Sequence, residues 1–223
     1  MTDNRKSGIA LLAGSLGGIL TMAIHPTAGG ALTAEQVGHL AVASGVAHSL
    51  AMVSVLLLFL GACGLTQSIA ATDRIAFAGI VTFGFACVAV FIATAVSGFI
   101  VPSIMKHMVR DVATVAAQWQ IVIAGIFQIN QAFARIYSVA ASAAILLWSA
   151  SALRNGGLGR GVTIYGCVIA ALIIVGVSVG HVRLDVHGMA AVWLGQAIWF
   201  VVVGFQLYSR AVNSSDGLET RLR

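Results

Sequence analysis

The chain has 223 residues, of which 59% are hydrophobic and 9% charged, with a mean hydropathy of +0.99. Most soluble proteins carry about 25% charged residues, and disordered chains combine low hydrophobicity with high charge, so neither class fits. The twelve Lys and Arg that give the net charge of +5 lie in short segments between apolar runs, a pattern that sets topology in a membrane and argues against a nucleic-acid partner.

A hydrocarbon core about 30 Å thick is crossed by about 20 apolar residues of helix. Six runs qualify: residues 8–24, 45–65, 75–101, 129–153, 161–180 and 189–208. Lipid offers no partner for backbone N–H and C=O groups, so each run is predicted as a helix. A closed barrel needs short alternating segments, which are missing. The fold class is therefore all-α, a polytopic bundle of six transmembrane helices in one domain over residues 1–210, with a polar cytoplasmic tail at 211–223.

The first run follows Arg5 and Lys6 and precedes the small residues 27–31, the outline of a signal peptide. Its apolar stretch of about 17 residues exceeds the 7–15 of a signal core, so a true span is expected. With the N-terminus in the cytoplasm, Arg5, Lys6, Arg74, Arg154, Arg160, Arg210, Arg221 and Arg223 fall inside, and Lys106, Arg110 and Arg183 outside. That asymmetry predicts both termini cytoplasmic in a bacterial inner membrane.

The second and fourth helices outrun the bilayer. Thr33 with Gln36 three residues on forms a capping box, and no breaker follows before Asp73. A helix over residues 34–69 is about 54 Å long at 1.5 Å per residue. From Asp111 to Leu153 there is no proline and one glycine, Gly125. Either both helices project on the outer side, or they break at Gly38, Gly45 and Gly125. Pro26 and Pro102 are expected as helix stops. Gly14 with Gly18, and Gly176 with Gly180, have the spacing of close helix packing. The segment Gly156-Gly157-Leu158-Gly159 reads as a turn, since it lacks the ending of a phosphate loop. Cys63, Cys87 and Cys167 read as small apolar residues. Trp119, Trp148, Trp193, Trp199 and Tyr208 are expected in interfacial belts.

In this topology all six histidines fall on the outer half: His25, His39, His48, His107, His181 and His187. The three outer hairpin tips each carry histidine, a hint of repetition without residue-by-residue correspondence. Imidazole is the commonest metal ligand and titrates near neutral pH. Glu35 and His39, His107 and Asp111, and His181 and Asp185 are each four apart, which places each pair on one helix face. His107, Asp111, His181, Asp185 and His187 are the candidate ligands of a divalent metal at the outer surface, although no HExxH motif is present. A bis-histidine haem needs ligands deep in facing helices, a depth only His48 approaches. With Ser44 one turn away, His48 is the first candidate for a buried functional histidine.

Gln128, Gln131, Arg135, Ser138, Ser142 and Ser149 form one polar stripe along the fourth helix, and His107, Asp111, Thr114 and Gln118 a similar one upstream. Intramembrane polar stripes face the bundle interior or a wet cavity, while serines also permit close packing. Arg135 is either a snorkelling residue or an anion anchor. The ligand-binding candidates are therefore His48, Gln128, Gln131 and Arg135.

No motif names a reaction. The leading expectation is an outward-facing vestibule, lined by histidine, carboxylate and arginine, that binds a small polar or anionic ligand or ion, with transport as one use. The first alternative is a membrane-embedded, metal-dependent enzyme acting on a lipid or lipid-linked substrate. The second is a non-catalytic subunit or assembly factor whose partners are other membrane-protein subunits. All three place the chain in a lipid bilayer.

Overall fold

The computed structural model describes residues 3–26, 32–70, 73–111 and 113–221, without the side chains of 3, 70, 113–114 and 214–221. The small-residue segment 27–31, Thr72, the Thr114 side chain of the upstream stripe and positions 222–223 of the tail lie outside this description. The described residues form α1 (Asp3–Ala23), α2 (Ala34–Ala70), α3 (Arg74–Ala95), a π turn (Val96–Ile100), α4 (Val101–Met108), α5 (Ala113–Asn155), α6 (Arg160–Ser178) and α7 (Val186–Arg221), with no strand among them. Six helical stretches are long and apolar enough to cross a membrane, the third running unbroken from Arg74 through Met108.

The six stretches close into a ring. α1 packs on α2 and α7, α3 on α2 and α5, and α6 on α5 and α7. Glycine sets the tightest approaches. A Cβ on Gly8 would lie 2.6 Å from Gly204 O, and one on Gly14 would lie 2.7 Å from Ser54 O. Such positions let backbones touch where any side chain would force them apart. At the ring's centre Trp148 and Trp199 stack with 6.0 Å between ring centres and 8° between planes. Phe83 and Phe200 pack edge-on or tilted against Trp148 and each other. Both indoles are fully buried, so Trp148, Trp193 and Trp199 are core residues and not the interfacial belt expected of them. Gly79 and Gly166 make the room, because a Cβ on either would collide with an indole nitrogen.

α2 and α5, of 37 and 43 residues, are unbroken at Gly38, Gly45 and Gly125. At the start of α2, Thr33 N–H donates to Gln36 Oε1 (2.9 Å) and Gln36 N–H to Thr33 Oγ1 (3.3 Å), the reciprocal box read from the sequence. Pro102 differs from expectation: the helix passes through it. Proline lacks an N–H and crowds the preceding turn, and the π turn just before it widens the ladder, with Val101 N–H reaching Val96 O. In that register the donor to Ser97 O would be the nitrogen of Pro102, which carries no hydrogen. The Ser44 hydroxyl fills the gap, donating to Ser97 O at 3.2 Å.

Gly176 and Gly180 also differ from expectation. Gly180 has φ +77°, and its N–H reaches Val177 O while Val182 N–H reaches Gly176 O. A left-handed glycine here terminates α6, so the pair is a helix stop and not a packing seam. At the opposite end of the ring, Gly157 (φ +91°) lies in the turn before α6, and Arg210 donates to its carbonyl. The guanidinium of Arg5 sits 5.7 Å from the centre of the Tyr208 ring, so both chain ends share this face. The helical backbone of α7 continues over residues 211–221.

Candidate functional site

The ring opens into a cavity of about 360 Å³ at the end away from the chain termini. Its walls come from α1, α2, α3, the π turn, α5 and α7, with Leu184 and Asp185 from the α6–α7 loop. Much of the lining is apolar, including Met22, Val55, Val90, Phe127, Met189 and Trp193; the polar members include His25, His48, Thr94, Asn130, Gln131 and Asp185.

His25 lies just beyond the end of α1, and His48 four turns into α2. Their rings meet edge to face with centres 5.0 Å apart and planes at 65°. His48 is 6% exposed, and its Nδ1 lies 2.7 Å from Ser44 O. A carbonyl oxygen only accepts, so Nδ1 carries the hydrogen and neutral His48 keeps its lone pair on Nε2. His25 repeats the arrangement, with Nδ1 3.2 Å from Pro26 O. Burial pushes the His25 imidazole below its ordinary value of 6.5, partly offset by the Pro26 carbonyl. The neutral ring is thereby favoured, as desolvation disfavours the charged form.

The position of His48 depends on the π turn. A Cβ on Gly98 would lie 2.5 Å from His48 Cβ, so only glycine lets α2 settle there. Ser44, which supplies the carbonyl to His48, is the residue whose hydroxyl caps Ser97 O. π turns recur at functional sites because they place a wide, re-aimed turn in an otherwise regular helix.

Gln131 reaches the cavity and donates from Nε2 to Leu184 O at 3.0 Å, tying α5 to the α6–α7 loop. Asp185 sits at the exposed mouth, and the N–H of Gly188 (3.0 Å) holds its carboxyl below the ordinary range, so it is ionised near neutrality. Asn130 Oδ1 and Trp193 Nε1, on cavity-lining residues, are buried without a hydrogen-bond partner. Buried polar atoms without partners are uncommon in native structures and call for an explanation.

The other residues singled out from the sequence fall elsewhere. Gln128 and Arg135 are exposed on α5 and do not line the cavity. No Lys or Arg does. His107 stacks on Trp119 with ring centres 6.0 Å apart, and Asp111 accepts from Trp119 Nε1 at 2.8 Å; α4 ends between His107 and Asp111, so the upstream stripe is not one helix face. His181 and His187 are exposed. Among the described residues no three of His, Cys, Asp and Glu come together in a metal-ligating group; His107, Asp111, His181, Asp185 and His187 are thus not gathered into one. Glu35 and His39 approach to 3.8 Å, both exposed. The lower serine stripe is buried and serves packing. Ser138 and Ser142 meet Gln196, whose Nε2 donates to Ser142 Oγ (3.0 Å) and whose Oε1 accepts from Tyr137 (3.0 Å).

The sequence reading places His25 among the outer histidines without making it a ligand candidate, and it does not single out Gln196, Tyr137 or Asn130. The signal was present for two of them: His25 adjoins Pro26, which fixes where α1 ends, and Gln196 is a lone amide in a long apolar run. Compared with known proteins, the chain matches no family model, no curated protein and no solved structure.

Proposed function

We propose that the chain is a multi-pass membrane protein that binds a small, neutral amphiphile in the His25–His48 cavity. The observation that carries this reading is the composition of one half-open cavity. Its walls are mainly apolar, a few polar atoms are grouped with them, and among the described residues no Lys or Arg side chain lines it. Ligand sites are of this kind: apolar walls supply affinity and a few placed polar groups fix orientation. The two Nε2 atoms accept from a ligand hydroxyl or amide. An anionic ligand, one of the forms expected from sequence, is disfavoured because Arg135 lies outside the cavity and the ionised Asp185 stands at its mouth.

The positive-inside asymmetry supports both termini in the cytoplasm and a cavity that opens on the outer side. Transport through the ring has less support, since the centre below the cavity is filled by stacked Trp148 and Trp199.

The test is recovery of the ligand. Protein purified from membranes is denatured and its organic extract weighed by mass spectrometry. One amphiphile per chain is expected, and Ala93→Phe, which places a ring in the cavity, should lose it. Recovery of the same molecule in the same amount from Ala93→Phe contradicts the proposal.

A further inference from the structure

We propose that His25 and His48 hold one cuprous ion through their Nε2 atoms, with the thioethers of Met22 and Met189 as the further donors. The inference starts from the two rings. Each spends Nδ1 on a backbone carbonyl, Pro26 O for one and Ser44 O for the other. That is the usual outer partner of a metal-bound histidine, which fixes the tautomer, orients the ring and raises the basicity of the ligating nitrogen.

Ring separation selects the coordination geometry. At metal–nitrogen distances of about 2.0–2.1 Å, each ring centre lies about 3.2 Å from the ion. Rings 5.0 Å apart subtend roughly 100° at a shared ion, by the same bond lengths, once the edge-to-face pair turns so that both Nε2 atoms point at it. That angle fits two neighbouring positions of a tetrahedral or trigonal shell. Imidazoles on opposite sides of a haem iron would have centres about 6.4 Å apart by the same bond lengths, so the pair is too close for axial haem ligation. A linear two-coordinate ion is excluded in the same way, and further donors are required.

The cavity supplies them as thioethers. Met22 and Met189 line the same space as the two histidines, the Met189 sulfur resting 3.8 Å from the Ser138 hydroxyl and needing to turn to reach an ion, whereas Cys63, Cys87 and Cys167 do not line it. Neutral imidazole with thioether selects copper in its lower oxidation state. Charge points the same way. Ion desolvation is costly against apolar walls, and a single positive charge is the smallest that a metal brings. The one lining carboxylate, Asp185, is exposed at the mouth, leaving a divalent ion without local compensation. The packing of Gly98 on His48 and the Ser44–Ser97 contact hold the deeper ligand in place before any ion arrives.

The inference shares the cavity of the preceding proposal and uses the same two Nε2 lone pairs, so the ion and an amphiphile bonded to those atoms exclude one another, and it is tested on protein stripped of bound organic molecules. The full chain in detergent, under reductant, is titrated with cuprous ion against bicinchoninate. One ion per chain is expected. His25→Ala and His48→Asn should each weaken binding by more than the about tenfold that loss of a ligand's outer hydrogen-bond partner costs; asparagine retains a donor for Ser44 O and so separates ligation from folding. His39→Ala and His107→Ala should leave the affinity unchanged. X-ray absorption should show both nitrogen and sulfur neighbours, the sulfur lost in Met22→Leu/Met189→Leu. Binding that survives the His25/His48 double substitution, a shell without sulfur, or retention of zinc in place of copper would each overturn it. Failure of copper binding leaves the amphiphile proposal standing, and absence of an amphiphile leaves this one standing.

Discussion

At the scale of single residues, burial decides which polar groups matter. Gln196 is 2% exposed and sits at a junction of α5 and α7, accepting from Tyr137 and donating to Ser142. In Tyr137→Phe a buried acceptor is left without its donor, a loss of about 1–3 kcal/mol. Reversible unfolding in mixed detergent should show it. Replacing both partners, Tyr137→Phe with Gln196→Leu, should cost less than the Tyr137→Phe change alone. Asp73 behaves differently, at an exposed turn. The Ser151 hydroxyl, the Ile75 N–H and the Asn155 amide all donate to its carboxylate and hold its pKa below the ordinary 3.8. A depressed folded value means the contribution is complete above pH 3.8 and vanishes as pH falls through the lower folded value. Asp73→Asn should therefore lower stability at neutral pH and flatten the acid limb of a stability–pH curve. An unchanged acid limb would remove Asp73 from that role.

At the scale of helices, small residues control how closely backbones approach. Gly8 and Gly14 would each place a Cβ under 3.0 Å from a neighbouring backbone atom, whereas Gly38 and Gly125 have nothing within 4 Å. Gly8→Ala and Gly14→Ala should destabilise by about 1–3 kcal/mol through overpacking. Gly38→Ala and Gly125→Ala should be neutral or gain up to about 1 kcal/mol from helix propensity. Thermal unfolding of the four variants distinguishes the classes, and equal effects at all four would contradict the packing account. Much at this scale was legible in the sequence. The six apolar stretches, the Thr33–Gln36 box and the length of α2 and α5 follow from local chemistry, because hydrophobic length and capping act within one segment. The passage of the helix through Pro102 was not legible. It depends on the π turn and on Ser44 from another helix, a contact 53 residues away in sequence. The tryptophans are a related case: aromatic residues suit a membrane interface and a core equally, and only Gly79, Gly166 and Gly18, where a Cβ would strike Trp148, Trp199 and Trp193, decide for the core.

At the scale of the whole molecule, the ring brings together what the sequence keeps apart. His48 and Gln131 were singled out by burial depth and by the polar stripe, and both reach the cavity. Gln128 and Arg135 belong to the same stripe but lie on the exposed side, since a stripe has width and the sequence does not say which edge faces inward. His25 required knowledge that α1 ends beside the upper turns of α2. Orientation has its own test. With Cys63, Cys87 and Cys167 replaced, His181→Cys in intact cells should react with an impermeant maleimide, and Asn155→Cys should react only after the membrane is opened; the reverse pattern would invert the topology. The central claim is that the space between His25 and His48 is a ligand site. The most direct measurement is an electron cryomicroscopy map of the protein purified from its membrane without added ligand. Non-protein density bounded by His25, His48, Gln131 and Met189 is expected. A map in which the two imidazoles stand apart, or in which neighbouring side chains close the space, would contradict it.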